Sequence, residues 1–319
     1  MELEVSPMSG PTRRPSRSLR PTFIALVTGA LAVACAPSSG SLGTVATPPP
    51  TTAPSIAAPS AEPTPIRTVA GSPEGSSGTG AMTTVRAYFY LGSFTGDSGL
   101  VPVLRSVPKT ASIGTAAMLQ LLLGPNATEL GARPAMYTSI SASARFLGLS
   151  VSNGVAIVDL SKEFETANDN ATLDQRIAQV VYTLTQFPTV TSVAFELDGQ
   201  PAPADFQSSY TRAGTVGQLA SIAVDGPAWG GVLRNGGSVT GTANVFEATF
   251  RLEILDAAGQ SLSNNAVMAS CGTGCWGSFD AVVEFTIATP QWGALRVYDL
   301  SAKDGSREHQ VDYPVWLTP

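Results

Sequence analysis

Polar side chains with potential for acid–base or metal chemistry follow one short apolar stretch of the chain. Residues 155–160 are apolar except for Asp159, and Ser161, Glu163 and Glu165 come next. Carboxylates at this spacing could bind a metal ion or transfer protons. Alternatively, Asp159 and Ser161 hydrogen-bond to the local backbone while the two glutamates face solvent. We favour this structural alternative because no histidine, cysteine or second acidic cluster lies nearby in the sequence, and we expect no metal or cofactor.

The single histidine of the chain, His309, removes most histidine-dependent catalysis from consideration. Neither a Gly-x-Ser-x-Gly motif nor a cysteine–histidine pair supplies an activated nucleophile. The run from Gly272 to Gly277 formally matches Gly-x-Gly-x-x-Gly, but no helix follows it, so we reject dinucleotide binding. We predict that the protein is not an enzyme and takes no small-molecule substrate, with a cell-wall hydrolase as the weakest alternative. His309 itself is predicted to lie at the surface beside the last strand.

Two of the three cysteines, Cys271 and Cys275, lie close together in a glycine-rich segment. In an exported chain a disulfide between them is favoured, with two free thiols as the main alternative. A zinc site here would need four ligands, and His309 is the only imidazole. Closing so short a loop stabilises a fold by only about 2 kcal/mol, so we expect the disulfide to order the loop rather than to hold a domain together.

The third cysteine, Cys35, follows a segment with the features of an export signal. A region with four arginines precedes an apolar run over residues 23–34, which has the length of a signal peptide and is too short to span a bilayer. The run ends in Leu-Ala-Val-Ala-Cys, which resembles a bacterial lipobox, and this implies cleavage before Cys35 and a lipid on its sulfur. An ordinary cleaved signal peptide is the alternative. We expect residues 1–35 to be a lipoprotein signal peptide and the protein to be lipid-anchored on the extracytoplasmic face of a bacterial membrane.

Residues 36–82 are rich in Pro, Ser, Thr, Ala and Gly and carry almost no charge. They have no periodic apolar face, so burial cannot offset the entropy of ordering, and we predict a disordered tether. The formal net charge of the whole chain is −6, which argues against nucleic-acid binding because that needs a basic face. With the signal peptide and tether set aside, the remaining length predicts two folded domains.

The first predicted domain, residues 83–212, combines strands with two helices. Apolar runs and alternating patterns predict strands over 83–91, 100–107, 146–151, 155–160 and 193–197. Apolar stripes bounded by start and stop signals predict helices over 112–123 and after Thr172. Asn153-Gly154 and Asp198-Gly199 predict tight turns. The simplest architecture is an α+β domain with both helices on one face of a sheet.

The second predicted domain, residues 217–319, follows a polar, glycine-bearing stretch over 211–216 that we interpret as a hinge. Short apolar runs recur between Gly, Asn and Asp turns, and no helical stripe of useful length appears. About seven short strands in about 100 residues predict an all-β sandwich.

Several separated motifs resemble two known families. One is the GerMN domain of bacterial sporulation and spore-germination proteins, which also occurs in many actinobacterial lipoproteins. The motifs of this chain that resemble it, in the same order, are Ala87-Tyr88-Phe89, Leu121-Leu122-Leu123-Gly124-Pro125, Val158-Asp159-Leu160-Ser161 and Gln179-Val180-Val181-Tyr182. Only one copy is recognisable, whereas some germination proteins carry two in tandem. The immunoglobulin-like domain of bacterial spore germination commonly follows a GerMN domain, and it resembles the segments Val239-Thr240-Gly241, Trp276-Gly277-Ser278-Phe279 and Lys303-Asp304-Gly305.

These resemblances imply a small GerMN-like domain of two helices and a mixed sheet, followed by an all-β immunoglobulin-like sandwich after the disordered tether. They imply a non-enzymatic envelope lipoprotein that binds envelope proteins or peptidoglycan, with protein–protein assembly as the simplest mode. An accessory lipoprotein of a sensor-kinase signalling system is the alternative from a different class, because some actinobacterial lipoproteins that pair a GerMN domain with another module are linked to sensor kinases.

Overall fold

The computed structural model of this chain describes residues 81–92, 99–166 and 170–319. The predicted signal peptide, Cys35 and nearly all of the predicted tether lie outside the described residues. None of the helices in the described part is long and apolar enough to cross a membrane. The described residues are mostly β-strand with few helices, and they all belong to one compact unit.

A three-stranded antiparallel sheet opens the described chain. β1 (Met82–Leu91) pairs along its whole length with β2 (Gly99–Pro108), and its last two residues also pair with β3 (Met136–Tyr137). The alternating pattern predicts the two long strands to within a residue or so, but it also predicts that one face of β1 meets solvent. Instead both faces are buried from Ala87 to Leu91. One face enters the main core, and the other enters a separate aromatic cluster, which consists of Tyr88, Tyr90, Leu100, Ala178 and Tyr182.

A second sheet of four strands follows. Its members, in spatial order, are β4 (Phe146–Ser152), β5 (Val155–Leu160), β6 (Ser192–Leu197) and β7 (Gln200–Pro201). The predicted turns at Asn153-Gly154 and Asp198-Gly199 join β4 to β5 and β6 to β7, and all four turn residues have the positive φ that such turns need. β5 and β6 are parallel, because a helix connects them. The sheet is mixed, as expected. However, the strands of the first half of the described chain, which corresponds to the first predicted domain, form two sheets rather than one.

In the described residues, three α-helices accompany these sheets: α1 (Ile113–Leu122), α2 (Ala127–Leu130) and α3 (Asn170–Leu184). α1 and α3 pack against each other and against β1. The apolar stripe of α3 enters the main core, as its spacing predicts. Its polar side is buried as well, because every residue from Gln175 to Leu184 is buried. An amphipathic pattern alone predicts a solvated polar side, so the structure requires partners for those polar groups.

The second half is the predicted all-β sandwich. A three-stranded sheet has the order β13, β10, β8, and a five-stranded sheet has the order β12, β11, β14, β15, β9. The strands are β8 (Ile222–Gly226), β9 (Val232–Arg234), β10 (Gly237–Ala243), β11 (Thr249–Leu255), β12 (Ser261–Met268), β13 (Gly277–Val283), β14 (Gln291–Leu300) and β15 (Arg307–Thr318). The sequence patterns miss β9 and β12, because β9 has only three residues and β12 is mainly polar.

The connection between the halves differs from the predicted hinge. Residues Ala213–Gln218 form a 3-10 helix, and Thr215 within it is buried. Leu219 packs into the aromatic cluster of the first half. The backbone of Trp229 then donates a hydrogen bond to the carbonyl of Pro102 at 2.8 Å. The connection is therefore folded onto both halves, and β2 lies directly against the sandwich.

Candidate functional site

The polar residues after β5 support local structure. The Asp159 carboxylate accepts a hydrogen bond from the backbone N–H of Gly199 at 3.0 Å and so fixes the β6–β7 turn. Ser161 is fully buried, and its hydroxyl accepts a hydrogen bond from the backbone of Arg145 at 3.0 Å. Glu163 and Glu165 are partly exposed. The structural interpretation of Asp159 and Ser161 therefore agrees with their contacts.

The two neighbouring cysteines form the predicted disulfide, Cys271–Cys275. The loop closes just before β13, and a side chain on Gly277 would collide with the backbone of Cys271 at 2.2 Å. Disulfide and glycine together hold the loop tightly against the start of β13. The residue between them, Trp276, is half-buried and lines a cleft. The disulfide therefore lies directly beside an aromatic residue of the cleft wall.

The cleft lies where the first half meets the sandwich and has a volume of about 630 Å³. Residues of both halves and of the connecting segment form its walls, and they are mainly apolar or aromatic. The chief contributors are Tyr88, Pro102, Tyr182, Arg212, Asp225, Thr242, Trp276 and Phe279. A concave, mainly apolar site with a few convergent polar groups is the usual form of a binding site in proteins.

Side chains of α3 position the β1 end of this cleft. At Tyr88, the edge of β1 that faces α3 has no neighbouring strand. Side chains of α3 form the hydrogen bonds that such a strand would form. The N–H of Tyr88 donates to the Thr183 hydroxyl at 3.3 Å, and the Gln179 amide donates to the Tyr88 carbonyl at 2.9 Å. One turn further, Gln186 bonds both the N–H and the carbonyl of Arg86, at 2.8 and 2.7 Å. The polar side of α3, together with Gln186 just beyond its end, thus completes the hydrogen bonding of β1 and holds the backbone of Tyr88 and Arg86.

A β-bulge positions the carboxylate on the opposite wall. In the β8–β10 ladder, Val224 and Gly226 pair with consecutive residues of β10, so Asp225 is the extra residue between them. A bulge re-aims a side chain that a regular strand would direct elsewhere. Here the Asp225 carboxylate accepts a hydrogen bond from the Tyr88 hydroxyl and lies 3.4 Å from the guanidinium groups of both Arg86 and Arg212.

Arg212 connects the remaining parts of the cleft. Its guanidinium donates to the Tyr88 hydroxyl at 3.1 Å and to the Thr185 hydroxyl at 2.8 Å. It also lies over the ring of Tyr182, 4.7 Å from the ring centre, a cation–π contact. The segment predicted as a hinge therefore contains a side chain that binds β1, α3 and the bulge of β8 at once.

The electrostatics of the cleft favour neutral tyrosines beside a net positive charge. Burial, and then the neighbouring Asp225 carboxylate, hold the pKa of Tyr88 above its usual range, so its hydroxyl remains a donor. Burial also raises the pKa of Tyr182 to about 12. Two guanidinium groups meet one carboxylate, which leaves an excess of positive charge at this end of the cleft. This arrangement suits the binding of a partner with apolar and acidic groups.

The side chain of His309 is 41% exposed, so it lies at the surface as predicted. The residue lies within β15, however, rather than beside it. The imidazole Nδ1 is 2.8 Å from the Asp299 carboxylate. It stands apart from the cleft-lining residues named above.

The sequence patterns do not single out the cleft. Asp225 reads as an ordinary turn residue, and its bulge depends on pairing that only the fold creates. One signal was available, since Gln179, Thr183 and Gln186 recur at helical spacing on the side opposite the apolar stripe. Such a polar stripe on a helix with few charges indicates buried hydrogen bonding.

Two family models match the chain. Residues 86–203 match the family described as sporulation and spore germination, Germane, and residues 221–306 match Gmad2, the immunoglobulin-like domain of bacterial spore germination. No curated protein sequence matches the chain.

Three solved structures are similar to this chain over part of its length. A Clostridium perfringens protein described as a candidate lipoprotein has 15% identity and a TM-score of 0.28, over 41% of this chain and 88% of its own. The tandem GerMN domains of the Bacillus subtilis sporulation protein GerM have 15% identity and a TM-score of 0.34, over 74% of this chain and 61% of theirs. The first GerMN domain of GerM alone has 20% identity and a TM-score of 0.30, over 40% of this chain and 98% of its own.

Proposed function

Because this chain belongs to the GerMN-domain proteins of sporulation and spore germination, with a following immunoglobulin-like domain of the germination type, we propose that it is a non-enzymatic binding and assembly module of the bacterial cell envelope. In this proposal a lipid on Cys35 anchors the protein to the membrane, and residues 36–82 act as a tether. The two folded halves stand beyond that tether and bind a protein partner through the cleft between them.

One observation carries the proposal: a cleft of about 630 Å³ takes its walls from both halves of the described chain. A cleft of this kind exists only while the halves are held together, and the contacts of Tyr88, Arg212 and Asp225 hold them. Binding there uses the two-domain arrangement itself, which gives a physical reason for joining these two domains in one chain.

The composition of the cleft favours a protein segment as its occupant. Aromatic walls such as Trp276 and Tyr182 provide apolar area, and aromatic residues are enriched at protein interfaces. The excess guanidinium charge at Arg86 and Arg212 favours an acidic group on the partner. We therefore propose an envelope protein that inserts an apolar segment with a neighbouring carboxylate.

Two considerations support a role without catalysis. Neither matching family is described as an enzyme family. Within the cleft, the Tyr88 hydroxyl is held protonated and already donates to Asp225, so it supplies neither a nucleophile nor a base near neutral pH. Zymography of the purified protein on cell-wall substrate tests this part, and a clear lytic band would contradict it.

Cell fractionation tests the anchor. We expect Cys35→Ala to release the protein from the membrane fraction, since two acyl chains bind a bilayer stably and a chain without the Cys35 thiol cannot receive the lipid. Sedimentation of the variant with membranes to the same extent as the wild type would show that the anchor assignment is wrong.

Chemical cross-linking in whole cells tests the binding role. We expect the wild type to yield a defined protein adduct that Trp276→Ala weakens, while Trp292→Ala serves as the matched control because Trp292 is an exposed tryptophan outside the cleft lining. Recovery of wall fragments instead of a protein would favour peptidoglycan, and recovery of a kinase sensor domain would favour the signalling alternative. Equal adducts from both tryptophan variants would contradict a role for the cleft.

A further inference from the structure

A second cluster of reactive side chains lies on the five-stranded sheet of the sandwich. Asp299 of β14 and Glu308 and His309 of β15 each offer one potential ligand atom, and these atoms all lie within 4.8 Å of one another. The set combines an imidazole nitrogen with two carboxylate oxygens. We propose that it binds a divalent transition-metal ion of the zinc type.

The strand register provides the first argument. Asp299 and Glu308 are direct partners in the antiparallel β14–β15 ladder. Two like charges at directly opposed positions of a ladder destabilise the pair. A cation held between the two carboxylates reverses this effect, because each carboxylate then faces a positive charge instead of a negative one.

The burial of Asp299 provides the second argument. Its side chain is only 7% exposed, and a buried carboxylate needs a compensating cation. In the described part of the chain no lysine or arginine forms an ion pair with Asp299 or Glu308. The nearby arginines are engaged elsewhere, since Arg307 lies 3.5 Å from Glu253 and Arg296 binds Asp312 at 2.7 Å. His309, at 2.8 Å, is the basic group that reaches Asp299.

The backbone brings two consecutive residues to the same side of the sheet. In a regular strand Glu308 and His309 would point to opposite faces. The ladder shifts register between Val297 and Asp299, where β15 has two residues, His309 and Gln310, opposite one residue of β14. His309 has a φ of 50°, in the left-handed region that few non-glycine residues adopt. The bulge allows both side chains to approach Asp299.

The donor set indicates the class of metal. Imidazole nitrogen and carboxylate oxygen are both zinc ligands, whereas calcium and magnesium take oxygen ligands almost alone. Three protein ligands leave a tetrahedral ion with one free position, and Glu308 and His309 are exposed, so water or a group from another molecule could complete the shell. The site therefore suits an accessible ion rather than an enclosed structural one.

Zinc titration of the full-length protein tests the proposal. The protein is treated with a chelator, kept with its disulfide oxidised so that Cys271 and Cys275 cannot bind, and titrated with Zn²⁺ against a chromophoric competitor. Cys35→Ala is used as the parent chain, which removes the remaining thiol. We expect one equivalent of Zn²⁺ to bind, and Asp299→Asn and His309→Gln each to weaken binding by at least roughly tenfold.

A matched control and a second readout make the test decisive. Asp280→Asn removes one carboxylate from an exposed position on β13 and should leave zinc affinity unchanged. Co²⁺ in place of Zn²⁺ should give visible absorption of a four- or five-coordinate ion in the parent and in Asp280→Asn but not in His309→Gln. Zinc affinities that are equal in all four proteins, or no zinc binding by a folded parent chain, would overturn the proposal.

Discussion

The hydroxyl of Tyr88 donates a hydrogen bond to the carboxylate of Asp225, a residue 137 positions later in the chain and in the other half of the described fold. Each partner reaches the other through an unusual local feature. Side chains of α3 hold the backbone of Tyr88, and a bulge in β8 re-aims Asp225. With Arg86 and Arg212, the pair joins the two halves and forms the charged end of the cleft.

Removing the Asp225 carboxylate should destabilise the protein. Asp225→Ala leaves the Tyr88 hydroxyl without this acceptor and places two guanidinium groups together without a counter-charge. Because the carboxylate is 37% exposed, solvent screens part of the effect, and we expect a loss of about 1–2 kcal/mol in the free energy of unfolding. Urea denaturation measures it. Asp280→Ala, an exposed carboxylate on β13, is the control; equal losses in both variants would argue against a specific role for Asp225.

The Gln179 amide should contribute more to the stability of the fold than a glutamine side chain usually does. It is fully buried, donates to the Tyr88 carbonyl and accepts from the backbone of Ser139 at 2.9 Å. Gln179→Met keeps the length of the side chain but removes its hydrogen bonds to these two backbone groups. We expect a loss of about 2–3 kcal/mol in unfolding free energy, measured by urea denaturation. Gln200→Met, at an exposed position, should change stability little, and a comparable loss there would contradict the explanation.

Stability should fall in strongly alkaline solution because buried tyrosines resist ionisation. Burial raises the pKa of Tyr182 and of Tyr313 to about 12, and it raises the pKa of Tyr88 and Tyr90 further. In the unfolded chain these groups ionise at about pH 10. Above that pH the unfolded state binds fewer protons than the folded state, so the free energy of unfolding decreases as the pH rises.

The tyrosine contribution is fully present below about pH 10 and is lost as the pH rises through the folded pKa. Each tyrosine with a folded pKa near 12 should remove about 1 kcal/mol by about pH 11. Urea denaturation at several alkaline pH values measures the slope. Tyr313→Phe, in which one buried phenol is absent, should flatten it. An unchanged slope in that variant would mean that the buried tyrosines are not the source.

The disulfide should contribute through a short loop and through Trp276. The chain entropy of a five-residue loop predicts a loss of about 2 kcal/mol when both Cys271 and Cys275 are changed to Ser. We also expect greater iodide quenching of Trp276 fluorescence, measured in a chain in which the other three tryptophans are phenylalanine. A loss of stability without any change in quenching would show that the disulfide does not position the cleft wall.

Local patterns in the sequence predict most of the framework. The apolar alternation of β1 and β2, the turns at Asn153-Gly154 and Asp198-Gly199, and the apolar stripe of α3 each depend on neighbouring residues only, and the structure has them nearly at the predicted bounds. The α+β arrangement followed by an all-β sandwich is confirmed for the same reason.

The cleft could not be predicted in the same way, because it depends on contacts between distant segments. Tyr88 reads as a solvent-facing residue of a half-buried strand, although α3 and the sandwich enclose it. The stretch after Thr211 reads as a hinge because it is polar and contains glycine, yet Arg212 binds three elements. Composition describes how a segment behaves alone, and these residues acquire their roles only when the two halves meet.

Site-specific photo-cross-linking inside the cleft tests the central claim most directly. A photoreactive amino acid replaces Thr242 in the cleft wall or, as a control, the exposed Ser261 at the start of β12. The account predicts that illumination of whole cells gives one protein adduct from position 242 and none from position 261. It also predicts that adding Trp276→Ala reduces the adduct from position 242. Adducts of equal yield from both positions, or a yield from position 242 that Trp276→Ala leaves unchanged, would contradict the claim that the cleft between the two halves is the binding site.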